Sequence, residues 1–200
     1  MLQRSERDAL RQLAHAELPR LYALARRLGG GDPEDLVQET LLRACRSFGS
    51  LRDVRAGPKW LTTILTNVWR DWLRHEHRVP DEVPVDDEDG FSLYRTLEEE
   101  DPFPYSDTLH VDFLGAFSEH DVHVVLQRIP PLYRAPLVLR YVEGCSVDEV
   151  ARMLERPAGT VMSQLHRGRQ RFERELWRYA EESGLLSGAA GEPHLQEAAP

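Results

Sequence analysis

The sequence is poor in the features that mark membrane, secreted and catalytic chains. No apolar run approaches the ~20 residues a membrane helix needs. Met1 to Glu6 leads into a charged amphipathic stretch without the apolar centre of a secretory leader. Both absences predict a cytoplasmic chain with no membrane insertion. The two cysteines, Cys45 and Cys145, lie far apart with no Cys-x-x-Cys spacing, so each is expected to be a buried, reduced thiol, with a redox role the minor reading. No glycine-rich phosphate loop is present; Gly29-Gly30-Gly31 reads as a helix stop. His75, His77, His120 and His123 lack a third and fourth ligand at a recognisable spacing, so no metal is expected, nor any other cofactor. Paired carboxylates crowd only into a segment with no scaffold to hold them for acid–base work. The chain is expected not to be an enzyme.

What is present is charge, unevenly placed. The net charge is −9. Residues 1–79 are net +4, residues 80–121 net −13, residues 122–180 net +4, and residues 181–200 net −4. Two mildly basic blocks are thus separated by a strongly acidic stretch, and this pattern says more than the total.

Both basic blocks read as helices. Leu10, Leu13, Leu18, Leu21, Leu24, Ala25 and Leu28 recur at helical spacing. After the glycines, Asp32 suits an N-cap and Pro33 a first helical position, with Leu36, Thr40, Ala44 and Phe48 continuing one face. Residues 49–57 read as a loop. Pro58 opens a helix with Trp60, Leu61, Ile64, Leu65, Val68, Trp69, Trp72 and Leu73 as a broad apolar stripe. Its tryptophans could stack bases, but the stripe argues core for Trp60 and at least partial burial for Trp69 and Trp72; Thr62, Thr63, Thr66, Asn67, Arg70 and Arg74 fall largely on the opposite side. The second block reads as four helices: Val122–Ile129, Leu132–Val142, one capped by Ser146 with Glu149 three residues on, and Ala158 to about Tyr179. The fold class expected is all-α: two small helical domains, 1–78 and 121–180, joined by a flexible acidic linker, 79–120, with a disordered tail, 181–200. A short helix is expected near Leu109–Phe117.

The last two helices form a helix-turn-helix, with Ser146–Leu154 as support and the helix from Ala158 as reader. Thr160, Ser163, Gln164, His166 and Arg167 stand in its first turns, with Arg169, Arg171 and Arg174 behind. Short polar groups reach base edges, and arginines suit phosphates or guanine.

These residues resemble a family. Asp35-Leu-Val-Gln-Glu-Thr40, the helix from Trp60 to Asn67, and the stretches Ile129–Leu154 and Pro157–Arg169 together resemble the extracytoplasmic-function (ECF) sigma factors of the sigma-70 superfamily, in the family's order and spacing, over most of residues 15–178. The resemblance implies a factor that directs RNA polymerase to promoters. Asp35, Gln38, Glu39 and Arg46 would dock on core polymerase, whose β′ clamp helices and β flap would be the contacts. Ser47 and Leu51 would capture a flipped base of the −10 strand, with Asn67 bracing their loop by hydrogen bonding. Arg140, Met162, Ser163, His166 and Arg167, joined by Thr160 and Arg171, would read the −35 duplex, Arg140 holding a phosphate. An anti-sigma protein is a further implied partner. The sequence departs from the family's habits at Leu51, often aromatic; at Met162, commonly Lys or Arg; at Gln164, commonly Arg; and at Glu155, commonly Gly.

Two other classes compete. A stand-alone helix-turn-helix regulator would bind duplex tightly without polymerase, and an enzyme with a helical accessory domain would need a convergent polar pocket. The acidic stretch generates its own test. Replacing the acids of 86–101 by Ser and Asn is expected to alter abortive synthesis, whereas unchanged initiation and promoter escape in run-off assays would remove any active part for these charges.

Overall fold

The structure, a computed structural model, describes residues 4–76, 115 and 117–185. Most of the expected linker, the expected helix near Leu109 and the tail from 186 lie outside these residues. Helices α1 (Arg4–Leu28), α2 (Pro33–Ser47) and α3 (Gly57–His75) are followed by α4 (Glu119–Arg128), α5 (Pro131–Leu137), a π turn (Val138–Val142), α6 (Val147–Leu154) and α7 (Ala158–Glu182). No strand occurs among the described residues. The chain divides into two compact units: one holds α1–α3 with residues 129–169, the other holds α4 with the later part of α7.

In the first unit α1 buries Leu10, Leu13, Leu21, Leu24, Ala25 and Leu28. Leu18, expected in that stripe, is 45% exposed because it sits at the stripe's edge. Gly29 and Gly30 stop the helix with φ of 65° and 102°, values open to glycine at no steric cost. Asp32 caps α2, accepting from the Glu34 amide at 2.8 Å, with Pro33 at the first turn. α3 fixes the bundle: Leu61, Leu65, Val68, Trp69 and Leu73 are buried, and the Trp69 indole donates to the Gly29 carbonyl at 2.8 Å.

Two expectations for α3 change. Thr62 and Thr66, placed on the polar side by sequence, are buried. Their hydroxyls donate one turn back, to Pro58 O at 3.2 Å and Thr62 O at 2.8 Å, which satisfies the polar atom and leaves the methyl to pack. Trp60, expected in the core, is half-buried with its ring edge-on to Phe48 at 6.1 Å; Trp69 takes the deep position. The loop 49–57 also contains two short 3-10 turns, Phe48–Ser50 and Val54–Ala56. Cys145 is buried as expected, but Cys45 is exposed, on the outer face of α2.

The rest of the first unit is the helix-turn-helix. α5 buries Tyr133 through Leu137, and the π turn buries Val138 and Leu139 while leaving Tyr141 and Val142 exposed. Ser146 and Glu149 exchange the two hydrogen bonds of a capping box, at 2.8 and 3.3 Å. Glu155 closes α6 in the left-handed conformation, φ 51°, which is the physical reason a glycine suits this position. Gly168 lets α7 approach α5: a Cβ there would stand 3.1 Å from Leu137 and 3.3 Å from the Tyr133 carbonyl.

In the second unit Val125, Leu176 and Trp177 form a small core with Phe117, Phe172 and Tyr179 against it. α4 begins three residues before the Val122 expected, because Ser118 and Asp121 cap it: Ser118 N donates to Asp121 Oδ2 at 2.7 Å and Asp121 N to Ser118 Oγ at 3.3 Å. α7 runs three residues past Tyr179, where Arg128 pairs with Glu182 at 2.7 Å and lies over the Tyr179 ring at 5.5 Å.

Gly30→Ala should destabilise the chain by roughly 1–3 kcal/mol in urea titration, because φ is positive there and the new Cβ would stand 2.6 Å from the Trp72 ring. The Tyr179 hydroxyl first, then Ser118, hold the Asp121 carboxyl at about 2. This lowered value stabilises the fold at neutral pH, and the contribution fades as pH falls from the ordinary carboxylate range toward 2. Asp121→Asn should therefore flatten the fall in melting temperature across that acid window.

Candidate nucleic-acid and polymerase interface

Two separate surfaces carry the expected residues. The first lies on α2. Asp35, Gln38 and Arg46 are exposed and Glu39 half-buried, and their spacing places all four on one side of the helix. Sequence reasoning missed Leu42, 52% exposed in the middle of that side; an apolar anchor ringed by polar groups suits docking of a partner helix. The signal was available, since Leu42 departs from the inward stripe of Leu36, Thr40 and Ala44.

Beside this face runs a groove lined by Asp35, Glu39, Arg43, Asp71, Trp72 and Arg74 among others. Arg43 organises it, donating to Glu39 at 2.8 Å and Asp71 at 2.7 Å, and Arg74 adds a bond to Asp71 at 2.5 Å. The Glu39 and Asp71 bonds raise the Arg43 pKa. Burial pushes the Asp71 carboxyl up, but the Arg43 and Arg74 hydrogen bonds outweigh it and hold it below its usual value. Both shifts favour the charged forms of Arg43 and Asp71, and their hydrogen bonds hold those two charges in position. Arg43 and Asp71 were not singled out from sequence, because the pair is formed by residues 28 apart.

The loop after α2 presents Ser47 and Leu51, both half-buried. The Ser47 hydroxyl donates to Arg43 O at 2.7 Å and the Ser50 hydroxyl to Ser47 O at 2.6 Å. The expected bracing of this loop by Asn67 is not what the structure records. Asn67 Oδ1 instead accepts from Arg70 Nη1 at 3.4 Å within α3, and the loop is held by its own serines and by the Leu51 amide on Phe48 O at 2.9 Å.

The second surface is the start of α7. Thr160, Met162, Ser163, His166 and Arg167 are all exposed, Met162 at 58%. Arg171, in the second unit, is half-buried. Gln164, counted among the readers from sequence, is 6% exposed and faces the interior, because it falls on the side of Val161, Leu165 and Gly168. Arg140 is exposed, and its guanidinium donates to the Cys145 carbonyl at 2.9 Å, beside the cap of α6. Among the described residues no cluster of His, Cys, Asp or Glu forms a metal site, and no helix is long and apolar enough to cross a membrane.

Comparison with known proteins gives these surfaces a context. Residues 13–79 match Sigma-70 region 2, and residues 119–172 match Sigma-70, region 4. The chain is 35% identical over 176 residues to the ECF RNA polymerase sigma factor SigE of Mycolicibacterium smegmatis, covering 86% of this chain and 63% of that protein. It is 32% identical over 172 residues to the ECF RNA polymerase sigma factor EcfG of Rhodopseudomonas palustris, covering 85% of this chain and 86% of the relative. The fold is shared with the sigma factor RpoE of Bartonella quintana, solved in complex with the anti-sigma factor NepR, at a TM-score of 0.56 and 24% identity over 83% of this chain and 95% of that one.

One carboxylate of the helix-turn-helix gives a direct test of the local electrostatics. Glu149 is held at about 2, first by Lys59 and then by the Ser146 amide. In Lys59→Gln its titration midpoint, read by carboxyl NMR, should move up toward the ordinary glutamate value, the Ser146 hydrogen bond accounting for whatever depression remains.

Proposed function

Because the chain belongs to the ECF family of RNA polymerase sigma factors, we propose that it acts in the cytoplasm as a promoter-specificity subunit, carrying out no covalent step of its own. The observation that carries this reading is the pairing, in one chain, of a polar α2 face of partner-docking character with an exposed helix-turn-helix reader. In this reading Asp35, Gln38, Glu39 and Arg46, with Leu42 among them, dock on core polymerase through its β′ clamp helices. Ser47 and Leu51 hold a flipped base of the −10 strand. Base capture selects the melted state and so favours opening without chemistry. Leu51, half-buried and aliphatic, offers apolar contact rather than stacking. Asn67 contributes through Arg70 and α3 rather than through the loop.

Thr160, Met162, Ser163, His166 and Arg167 face the −35 major groove, with Arg140 and Arg171 on phosphates. The buried Gln164 takes no part, so sequence choice rests on short polar groups, one imidazole, one guanidinium and the Met162 thioether. An anti-sigma protein is the regulatory partner this family reading implies.

The test is co-elution with core polymerase followed by run-off transcription. Binding to core and promoter-dependent transcripts are expected; tight duplex binding with no affinity for core would instead make the chain a stand-alone regulator. Asp35→Ala with Glu39→Ala should weaken core binding by roughly 1–2 kcal/mol per residue. Arg167→Ala should cost about 1–3 kcal/mol at its base if it reads guanine, while Arg140→Ala should weaken all sequences alike and reduce the salt slope by about one.

A further inference from the structure

Along the first three turns of α7 the outward side chains are small or polar, save one. Met162 is a large apolar side chain, 58% exposed. Its direction is fixed from behind. Val161 and Leu165 are buried on the inward side, the Val161 amide starts the helix on the Pro157 carbonyl at 3.1 Å, and Gly168 seats α7 close against α5. The helix cannot roll Met162 inward without taking Val161 out. The turn beneath Met162 is bare. Helical side chains lean toward the helix start, and the residue one turn back is Gly159, where a Cβ would meet nothing within 4 Å. Met162 thus stands over open space, with three rotatable bonds to fit an irregular surface. Beside it the Ser163 hydroxyl is committed, donating to the Gly159 carbonyl at 3.1 Å. What Ser163 offers outward is therefore an acceptor.

A thioether is a poor partner for most base edges, because it has no donor and accepts only weakly. Over guanine it would cover O6 and N7 with nothing to give them, and over cytosine it would strand the N4 amino group. The apolar group in the major groove is the thymine C5-methyl. We infer that Met162 and Ser163 together read a single A·T pair of the −35 element, Met162 covering the thymine methyl and Ser163 accepting from the adenine N6 amino group. The two residues differ by about 1.5 Å along the helix axis, under half of the roughly 3.4 Å between base pairs, so both fall at one step. The inference rests on the sigma reading and adds to it the identity of one base pair. Met162 is in this sense a specificity-determining residue. Neither side chain is charged, so the contact releases no counterions, and its selectivity is the same at every salt concentration.

The test uses holoenzyme assembled from the full chain and core polymerase. Promoter fragments are selected from a library randomised across the −35 region. Competition binding is then repeated with each −35 thymine replaced singly by deoxyuridine, which deletes only the methyl. One replacement should weaken binding about fourfold, the worth of a methyl group taken out of water. Met162→Ala should bind the thymine and deoxyuridine fragments alike. Ser163→Ala should keep the deoxyuridine penalty but lose the preference for adenine over a purine that lacks the N6 amino group. Met162→Lys should move the preference at that pair to guanine. Selected −35 sequences without thymine, no deoxyuridine penalty at any position, or a penalty that survives Met162→Ala overturns the inference. Failure of the sigma reading appears separately, as absence of co-elution with core, and removes the inference with it.

Discussion

The bundle of α1, α2 and α3 is organised around one corner. The Trp69 indole donates to the carbonyl of Gly29, where α1 ends, and the Trp72 ring lies so close to Gly30 that no side chain fits between them. This contact sets where α2 departs and how α3 lies across both. The polar face of α2, the Arg43–Asp71 groove and the loop bearing Ser47 and Leu51 all follow from that geometry. A glycine run that seemed only to stop a helix is the seat on which two tryptophans rest.

Burial and charge are divided between distinct elements. Leucines, Val68 and Trp69 fill the interior, while the buried threonines of α3 donate one turn back, and the Thr62 hydroxyl also accepts from Arg20 at 3.0 Å. The Arg134 guanidinium is buried in α5, whereas Arg43, Arg20 and Arg70 lie part-buried and each join several oxygens at once. Such multidentate use suits arginine, whose planar fork holds more than one acceptor in fixed geometry. In the second unit Arg128 follows the same rule, pairing with Glu182 while covering the Tyr179 ring.

Local signals in the sequence were reliable where one element decides the outcome. The Asp32 cap, the Ser146–Glu149 box and the glycine stop involve near neighbours, and the structure has all three. Signals that depend on distant partners were not legible. Arg43 with Asp71, and Arg20 with Glu143, join residues 28 and 123 positions apart. Helical periodicity also blurred at stripe edges: Leu18 and Gln164 each lie near a boundary, and packing sent the leucine out and the amide in. For α3 the pattern was right and the assignment of its deepest tryptophan was not, because a stripe gives the side but not the depth. Most of the acidic stretch lies outside the described residues, so its character rests on composition alone.

The burial of Gln164 has a consequence for how much text the reader helix can scan. With that position turned inward, the proposed base contacts of the first unit run from Thr160 to Arg167, eight residues spanning about 10 Å of helix axis. Laid along a groove that rises 3.4 Å per step, this reaches about three base pairs. A window so narrow matches many sites in a genome, so under the proposed function discrimination comes from coincidence with a second, single-stranded signal at a fixed spacing.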